Sequence, residues 1–265
     1  MKEVLKKATE YVLENGTDLQ KSCVNYLMGE GDRQSIIEEL AQYQNSDGGW
    51  ANGLEMEYRG NVSSPFTTAA ALSHIYKFNL NDSNLLKKTL NYLKNTQYSN
   101  GMWDDPDEMN QFEHPDFMGK GIYTEYKTGI ILKWLIRLKV DDREMIDRAT
   151  NYMLENFDEI SKKNDFWSAV AYSSAISVLP GCKKQEKIME WSMKILMPKG
   201  SEFGLKQVMG MIEDDMPIPE QAMNNALKII KDTQENDGGW PNPFGEYNRV
   251  WSAVSIIRFL VKNNL

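Results

Sequence analysis

The sequence predicts an all-α protein, an α/α toroid of about six helical hairpins arranged as two concentric helix rings. Three observations predict it. One stretch recurs three times, as Leu40–Trp50 (LAQYQNSDGGW), Leu93–Trp103 (LKNTQYSNGMW) and Ile230–Trp240 (IKDTQENDGGW). Helices with a polar face alternate with helices that are apolar nearly all round, and the latter belong in a core. No segment shows the two-residue alternation of a strand. Self-similarity at this level signals a repeat architecture.

The recurring stretch sets an apolar residue four before a Gln, a Gly four after it and a Trp two further on. The anchors are Gln44, Gly48 and Trp50; Gln97, Gly101 and Trp103; and Gln234, Gly238 and Trp240. The apolar residue and the Gln share one face of a last helical turn. Asn or Asp followed by Gly is expected to end that helix in a left-handed conformation. The Trp supplies a large apolar plate and one N–H donor, and is expected to fold back on the helix end and stack on the Gln amide. These residues read as structural staples.

Taken in order, Val4, Leu5, Ala8, Tyr11 and Val12 give a helical period over Lys2–Glu14, which Asn15-Gly16 closes. Thr17 or Asp18 caps a second helix to about Met28, and a third runs to about Gln44. After the loop Asn45–Ser64, Ser64-Pro65 starts an apolar helix, because the Ser can cap and the Pro suits the first helical position. A helix over Asn84–Thr96 leads into the loop Gln97–Ile122, and Tyr123–Leu138 reads as a buried helix. An amphipathic helix, Arg143–Phe157, follows the tight turn at Val140. Asn164 or Asp165 caps another apolar helix, which Pro180-Gly181 ends. Helices are expected near Gln185–Leu196, Phe203–Met211, Pro219–Thr233 and Tyr247–Val261. With no Pro/Gly/Ser linker, residues 1–265 read as one domain.

Composition narrows the function classes. The 265 residues carry a net charge of −8, which disfavours nucleic acid and anionic membranes as partners. No apolar run approaches a membrane span, and Met1–Gly16 lacks the pattern of a signal peptide. Two cysteines, Cys23 and Cys182, give neither a disulfide framework nor zinc-ligand spacing, so a reducing, cytoplasmic setting and no cofactor are expected.

The three Gln-Gly-Trp stretches resemble the QW motif of the squalene/hopene cyclase and protein prenyltransferase superfamily. Asn52–Leu72 (NGLEMEYRGNVSSPFTTAAAL) looks like an uncharacterised bacterial subgroup of it. The resemblance implies the toroid, and a terpenoid cyclase-like or prenyltransferase-like cavity. The catalytic signatures depart from it. Asp104-Asp105-Pro106-Asp107 is a poor match to the protonating Asp-x-Asp-Asp motif, being interrupted by Pro and set in a loop. Glu213-Asp214-Asp215 is no better. Neither cysteine has an Asp two residues before it, as the prenyltransferase zinc site requires.

Loop lengths locate the functional end. The connections Asn45–Ser64, Gln97–Ile122 and Gln234–Glu246 are long, those near Asn79, Val140 and Pro180 are short, and long loops carry function more often. Apolar helices present their N-termini at the long-loop end, where free N–H groups attract acceptors. His114, Asp116, Glu55 and Glu125 are the candidate catalytic residues there. Arg59, Tyr58, Tyr126, Trp167 and Arg249 are the candidate ligand-binding residues, and Glu55 and Arg59 would pair if their segment were helical. His74, on an apolar helix, reads as a core histidine. Aromatic walls with an acidic rim suit three readings: a small organic, isoprenoid-like ligand; a carbohydrate-processing enzyme; or a non-catalytic binding or scaffold protein.

Overall fold

The computed structural model describes residues 1–179, 181–182, 184–196, 204–213, 218 and 220–265. Pro180, the expected helix start at Phe203, Asp214, Asp215 and Pro219 lie outside the described residues. Among the described residues the protein is all-helical, with twelve α-helices and no strand. They are α1 (Lys2–Asn15), α2 (Asp18–Met28), α3 (Arg33–Ala41), α4 (Pro65–Lys77), α5 (Asn84–Thr96), α6 (Thr124–Arg137), α7 (Arg143–Ile160), α8 (Phe166–Ile176), α9 (Gln185–Leu196), α10 (Leu205–Glu213), α11 (Glu220–Asp232) and α12 (Glu246–Lys262). None is long and apolar enough to cross a membrane.

Local chemistry sets the helix starts. Thr17 caps α2 in a reciprocal capping box with Gln20. Ser64 accepts hydrogen bonds from the backbone N–H groups of Phe66 and Thr67, with Pro65 at the first helical position of α4. Asp165 caps α8 through the Ser168 N–H. Two expected boundaries shift: α3 ends at Ala41 rather than near Gln44, and the second long loop contains a 3-10 turn at Asp107–Gln111.

The chain divides into two compact units, a middle one (Leu40–Ser201) and a terminal one (Met1–Glu39 with Glu202–Leu265). In the middle unit α4, α6 and α8 pack in a row, backed by α5, α7 and α9 respectively. In the terminal unit α12 packs against α10, α2 and α1, and α11 backs α10. The even-numbered helices of the middle unit are the apolar ones. Their backing helices bury a single stripe, such as Leu85, Leu86, Thr89, Tyr92 and Leu93 on α5, as amphipathic helices do.

The three repeated loops fold alike. Each Gln donates its amide to the carbonyl of its own Gly, from Gln44 to Gly48 (3.1 Å), Gln97 to Gly101 (3.0 Å) and Gln234 to Gly238 (2.9 Å). The same amide reaches the first turn of another helix, at the carbonyls of Leu85, Met145 and Val4. The third loop therefore docks on α1, the first helix of the chain. Each Gly is left-handed, with φ of 90°, 93° and 96°. A Cβ there would lie 2.1–2.3 Å from the carbonyl oxygens of Lys88, Arg148 and Lys7, so only Gly allows this approach.

This corrects the expected role of the glycine. The helices end at Ala41, Thr96 and Asp232, some residues earlier, and the Gly instead presses the loop against the next backing helix. The Gln acts by hydrogen bonding to backbone. All three Trp are fully buried. Trp103 and Trp240 donate to the carbonyls of Leu93 and Ile230 in their own helices (2.8 Å each), whereas Trp50 donates to the Thr89 hydroxyl (2.8 Å). The positions corresponding to Thr89 on the other docked helices are Ala149 and Ala8, which offer no acceptor, so the indole turns back to its own helix.

Candidate functional site

In the middle unit the first turns of α4, α6 and α8 present Phe66, Tyr126 and Trp167, all half-buried. Phe117, from the second long loop, joins them in a closed circuit of rings. Centroid separations are 5.7 Å for Phe66–Phe117, 5.9 Å for Phe117–Trp167, 5.3 Å for Tyr126–Trp167 and 5.8 Å for Phe66–Tyr126. These are the separations of interacting aromatic pairs. Phe166 is exposed and stands edge-on to Trp167 at 5.5 Å. Tyr58 is buried behind the circuit with Ala51, Met109 and Met118, on which Phe66, Phe112 and Phe117 pack. Its hydroxyl donates to the Val62 carbonyl. Tyr126 and Trp167 thus belong to one wall, and Tyr58 supports it from inside.

A buried ionic network holds Phe117's loop in place. Lys127 of α6 is fully buried and spends its three N–H donors on Asp104 (2.7 Å), Asp105 (2.9 Å) and the Gly119 carbonyl (2.8 Å). Asp105 also accepts from the Ser64 hydroxyl (2.6 Å) and the Gly119 N–H (2.9 Å), and Asp104 from the Gly121 N–H (2.7 Å). Every donor of the ammonium is satisfied, as a buried charge requires. The acidic run that the sequence offered as a poor match to a protonating motif is a structural anchor instead. It ties the loop to the starts of α4 and α6.

Glu55 is half-buried in a turn; its backbone carbonyl accepts from the Tyr58 N–H (2.9 Å), while its carboxyl makes no hydrogen bond or ion pair among the described residues. Burial, with the nearby Glu57 carboxylate adding and Lys77 opposing, pushes its carboxyl up to about 8. The expected Glu55–Arg59 pairing depended on a helix; the segment is a turn, Arg59 is exposed, and its guanidinium contacts the Met56 sulfur. The proton on Glu55 has a stability consequence. The folded-state value lies above the ordinary one, so stability is lost as pH rises from about 4.5 through about 8. Glu55 keeps some solvent contact, so the effect is set at about 2 kcal/mol, below the full linkage value. Glu55→Gln is expected to be more stable than the parent by about that amount at pH 9 and equal to it at pH 4. Urea unfolding at both pH values checks this, and an equal difference at both would contradict the burial of the acid.

The other candidates are dispersed. His114 is half-buried, its Nδ1 facing the Pro115 carbonyl at 3.1 Å, and Asp116 is exposed. Glu125 is buried, accepting from the hydroxyls of Ser168 (2.9 Å) and Thr124 (3.4 Å), which tie the starts of α6 and α8 together. Arg249, in the terminal unit, is held by Glu235, Asp237 (2.7 Å) and Glu246 and lies 4.7 Å over the Tyr11 ring. That engagement clamps the third repeated loop. Among the described residues no three His, Cys, Asp or Glu side chains converge on a metal position. A concavity of about 500 Å³ lies at the short-loop end, along Asn81–Asn91. It is lined by one helix and its entry turn, without an aromatic residue, although the sequence reading gave that end no pocket. No protein-family model and no curated protein matches the chain.

Sequence reasoning missed two things. Lys127 sits mid-run in an apolar helix, and that position was the available signal for a buried charge needing partners. The second is a matching pattern on the docked helices. Leu85-Thr89-Tyr92, Met145-Ala149-Tyr152 and Val4-Ala8-Tyr11 share one spacing. The three phenols bond near the starts of α4, α6 and α12, at the Ser63 carbonyl, the Thr124 hydroxyl and the Glu246 carboxylate. Burial raises each phenol's pKa.

Proposed function

We propose that this protein is an α/α toroid that takes a small, largely apolar organic ligand, isoprenoid-like in character, against the ring circuit of Phe66, Phe117, Tyr126 and Trp167. The circuit carries the reading: four rings on three helices and a loop lie in contact and stay half-buried. Apolar ligand sites are lined in this way, with few polar groups. Glu55, close in sequence to Tyr58, is a neutral acid at neutral pH and adds no charge there. The third repeated loop docks on α1 within the terminal unit as the first two dock on α5 and α7 in the middle one, the equivalence a repeat architecture needs. The resemblance to the cyclase and prenyltransferase superfamily supports the same ligand class, and cytoplasmic residence accords with the cysteine usage.

One observation favours a second reading. Glu55 and Glu57 are neighbouring carboxyls of which one is kept protonated, the electrostatic arrangement used in glycoside hydrolysis. Isothermal titration with farnesol and with maltohexaose separates the two. Farnesol is expected to bind saturably, and Trp167→Ala is expected to weaken it roughly tenfold or more, the size of a lost aromatic anchor, while the melting temperature falls by only a few degrees. Saturable binding of maltohexaose without farnesol would replace the first reading by the second. Farnesol binding indifferent to Trp167→Ala would remove the circuit from the site.

A further inference from the structure

The ring circuit of Phe66, Phe117, Tyr126 and Trp167 stands in acidic surroundings. The two long loops at its end of the middle unit, residues 45–64 and 97–122, hold two bases, Arg59 and Lys120, against eight acids once the protonated Glu55 is set aside. Lys120 is exposed and already paired with Asp107. The buried groups are unbalanced in the same sense. Lys127 answers Asp104 and Asp105 together, one base between two acids. The buried Glu125 carboxyl accepts from the Ser168 and Thr124 hydroxyls and, among the described residues, forms no ion pair. Glu125 precedes Tyr126 and Ser168 follows Trp167, so this carboxyl joins the two helix starts whose rings meet at 5.3 Å.

Helix dipoles account for part of this. The starts of α4, α6 and α8 each bring about half a positive charge to this end. Asp105 on the Ser64 cap, Glu125 in the first turn of α6 and Asp165 as the cap of α8 answer them one for one. Each is a full formal charge set against a half, and the remaining loop acids come on top. The rings add to the same preference, because an aromatic face attracts a cation. Their centroids are 5.3–5.9 Å apart, so a cation resting on the half-buried side of the circuit comes within the roughly 6 Å reach of more than one ring. A methylated ammonium suits this wall better than a primary one. Its methyl groups pack on the rings as apolar groups, whereas a primary ammonium is strongly hydrated.

We infer that the ligand carries an organic cation, a quaternary ammonium seated on Phe66, Phe117, Tyr126 and Trp167, with its apolar body against the same wall. The inference rests on the apolar-ligand reading for the position of the site; the sign of the ligand's charge stands on the rings and the acids around them. The rings and Glu125 hold the ligand, and no covalent step is involved. Competing candidates carry less. The Arg249 cluster is already matched by three acids, and the Asn81–Asn91 concavity belongs to a single helix and its entry turn.

The test is titration of the full chain with three probes that share one body and differ in charge: octyltrimethylammonium, octanol and octanoate. Octyltrimethylammonium is expected to bind at least tenfold more tightly than octanol, and octanoate more weakly than either. Trp167→Leu keeps apolar bulk and removes a ring, and is expected to cut the cation's advantage several-fold while octanol affinity changes little. Glu125→Gln keeps the shape and removes the charge, and is expected to act in the same direction. Because Glu125 is buried, the Trp167 variant keeps the test meaningful if the Glu125 variant fails to fold. Equal affinity for octyltrimethylammonium and octanol would overturn the cation and leave the apolar reading standing, as would tighter binding of octanoate. A cation advantage indifferent to Trp167→Leu would overturn the seat on the rings. Farnesol binding without binding of any octyl probe would overturn this inference alone, and failure of farnesol as well would remove both.

Discussion

Lys127→Met is expected to destabilise the protein by about 3–5 kcal/mol, the cost of breaking a buried ion pair by removing one partner. The substitution leaves Asp104 and Asp105 facing each other in the core, with the Ser64 hydroxyl and backbone N–H groups as their remaining partners. Without the ammonium between them the two carboxylates repel each other in a buried setting, which works against the loop's closed position. The melting temperature should fall by roughly 10 °C. Thermal melts of the parent and the variant measure this. A variant within a degree or two of the parent would show that the network does not hold the loop. The triple change Lys127→Met, Asp104→Asn, Asp105→Asn should recover much of the loss, because it removes the uncompensated charge.

Trp50→Ala, Trp103→Ala and Trp240→Ala are each expected to cost roughly 3–5 kcal/mol, as truncation of a core aromatic does. All three indoles are fully buried. The Phe variants separate packing from hydrogen bonding. Trp103→Phe and Trp240→Phe each take a donor from a helix carbonyl, Leu93 and Ile230 respectively. Trp50→Phe takes one from the Thr89 hydroxyl, which still donates to the Leu85 carbonyl and still accepts from Gln44. Trp50→Phe should therefore be the mildest of the three, by about 1 kcal/mol. Chemical denaturation of the six variants tests both statements. No loss in any Ala variant would end the staple reading.

The sequence by itself determined the all-α class and nearly every helix start. These follow from local physics: the 3.6-residue apolar period, a capping Ser64, Thr17 or Asp165, and a Pro at a first helical position. It also determined that the Gln-Gly-Trp stretches are equivalent, because their anchors recur at one spacing. Tertiary structure decided what the equivalence is for. Gly48, Gly101 and Gly238 serve a close approach to a helix tens of residues away, or at the other end of the chain, and no local pattern names that helix. The same holds for the site. Tyr126 and Trp167 were legible as aromatic residues beginning apolar helices, but their circuit with Phe66 and Phe117 exists only once α4, α6 and α8 pack side by side. Asp104 and Asp105 look like solvated loop acids in sequence. They are buried because Lys127, more than twenty residues on, supplies a charge inside an otherwise apolar helix. Pairings of this kind depend on long-range geometry, which the one-dimensional pattern constrains only through burial.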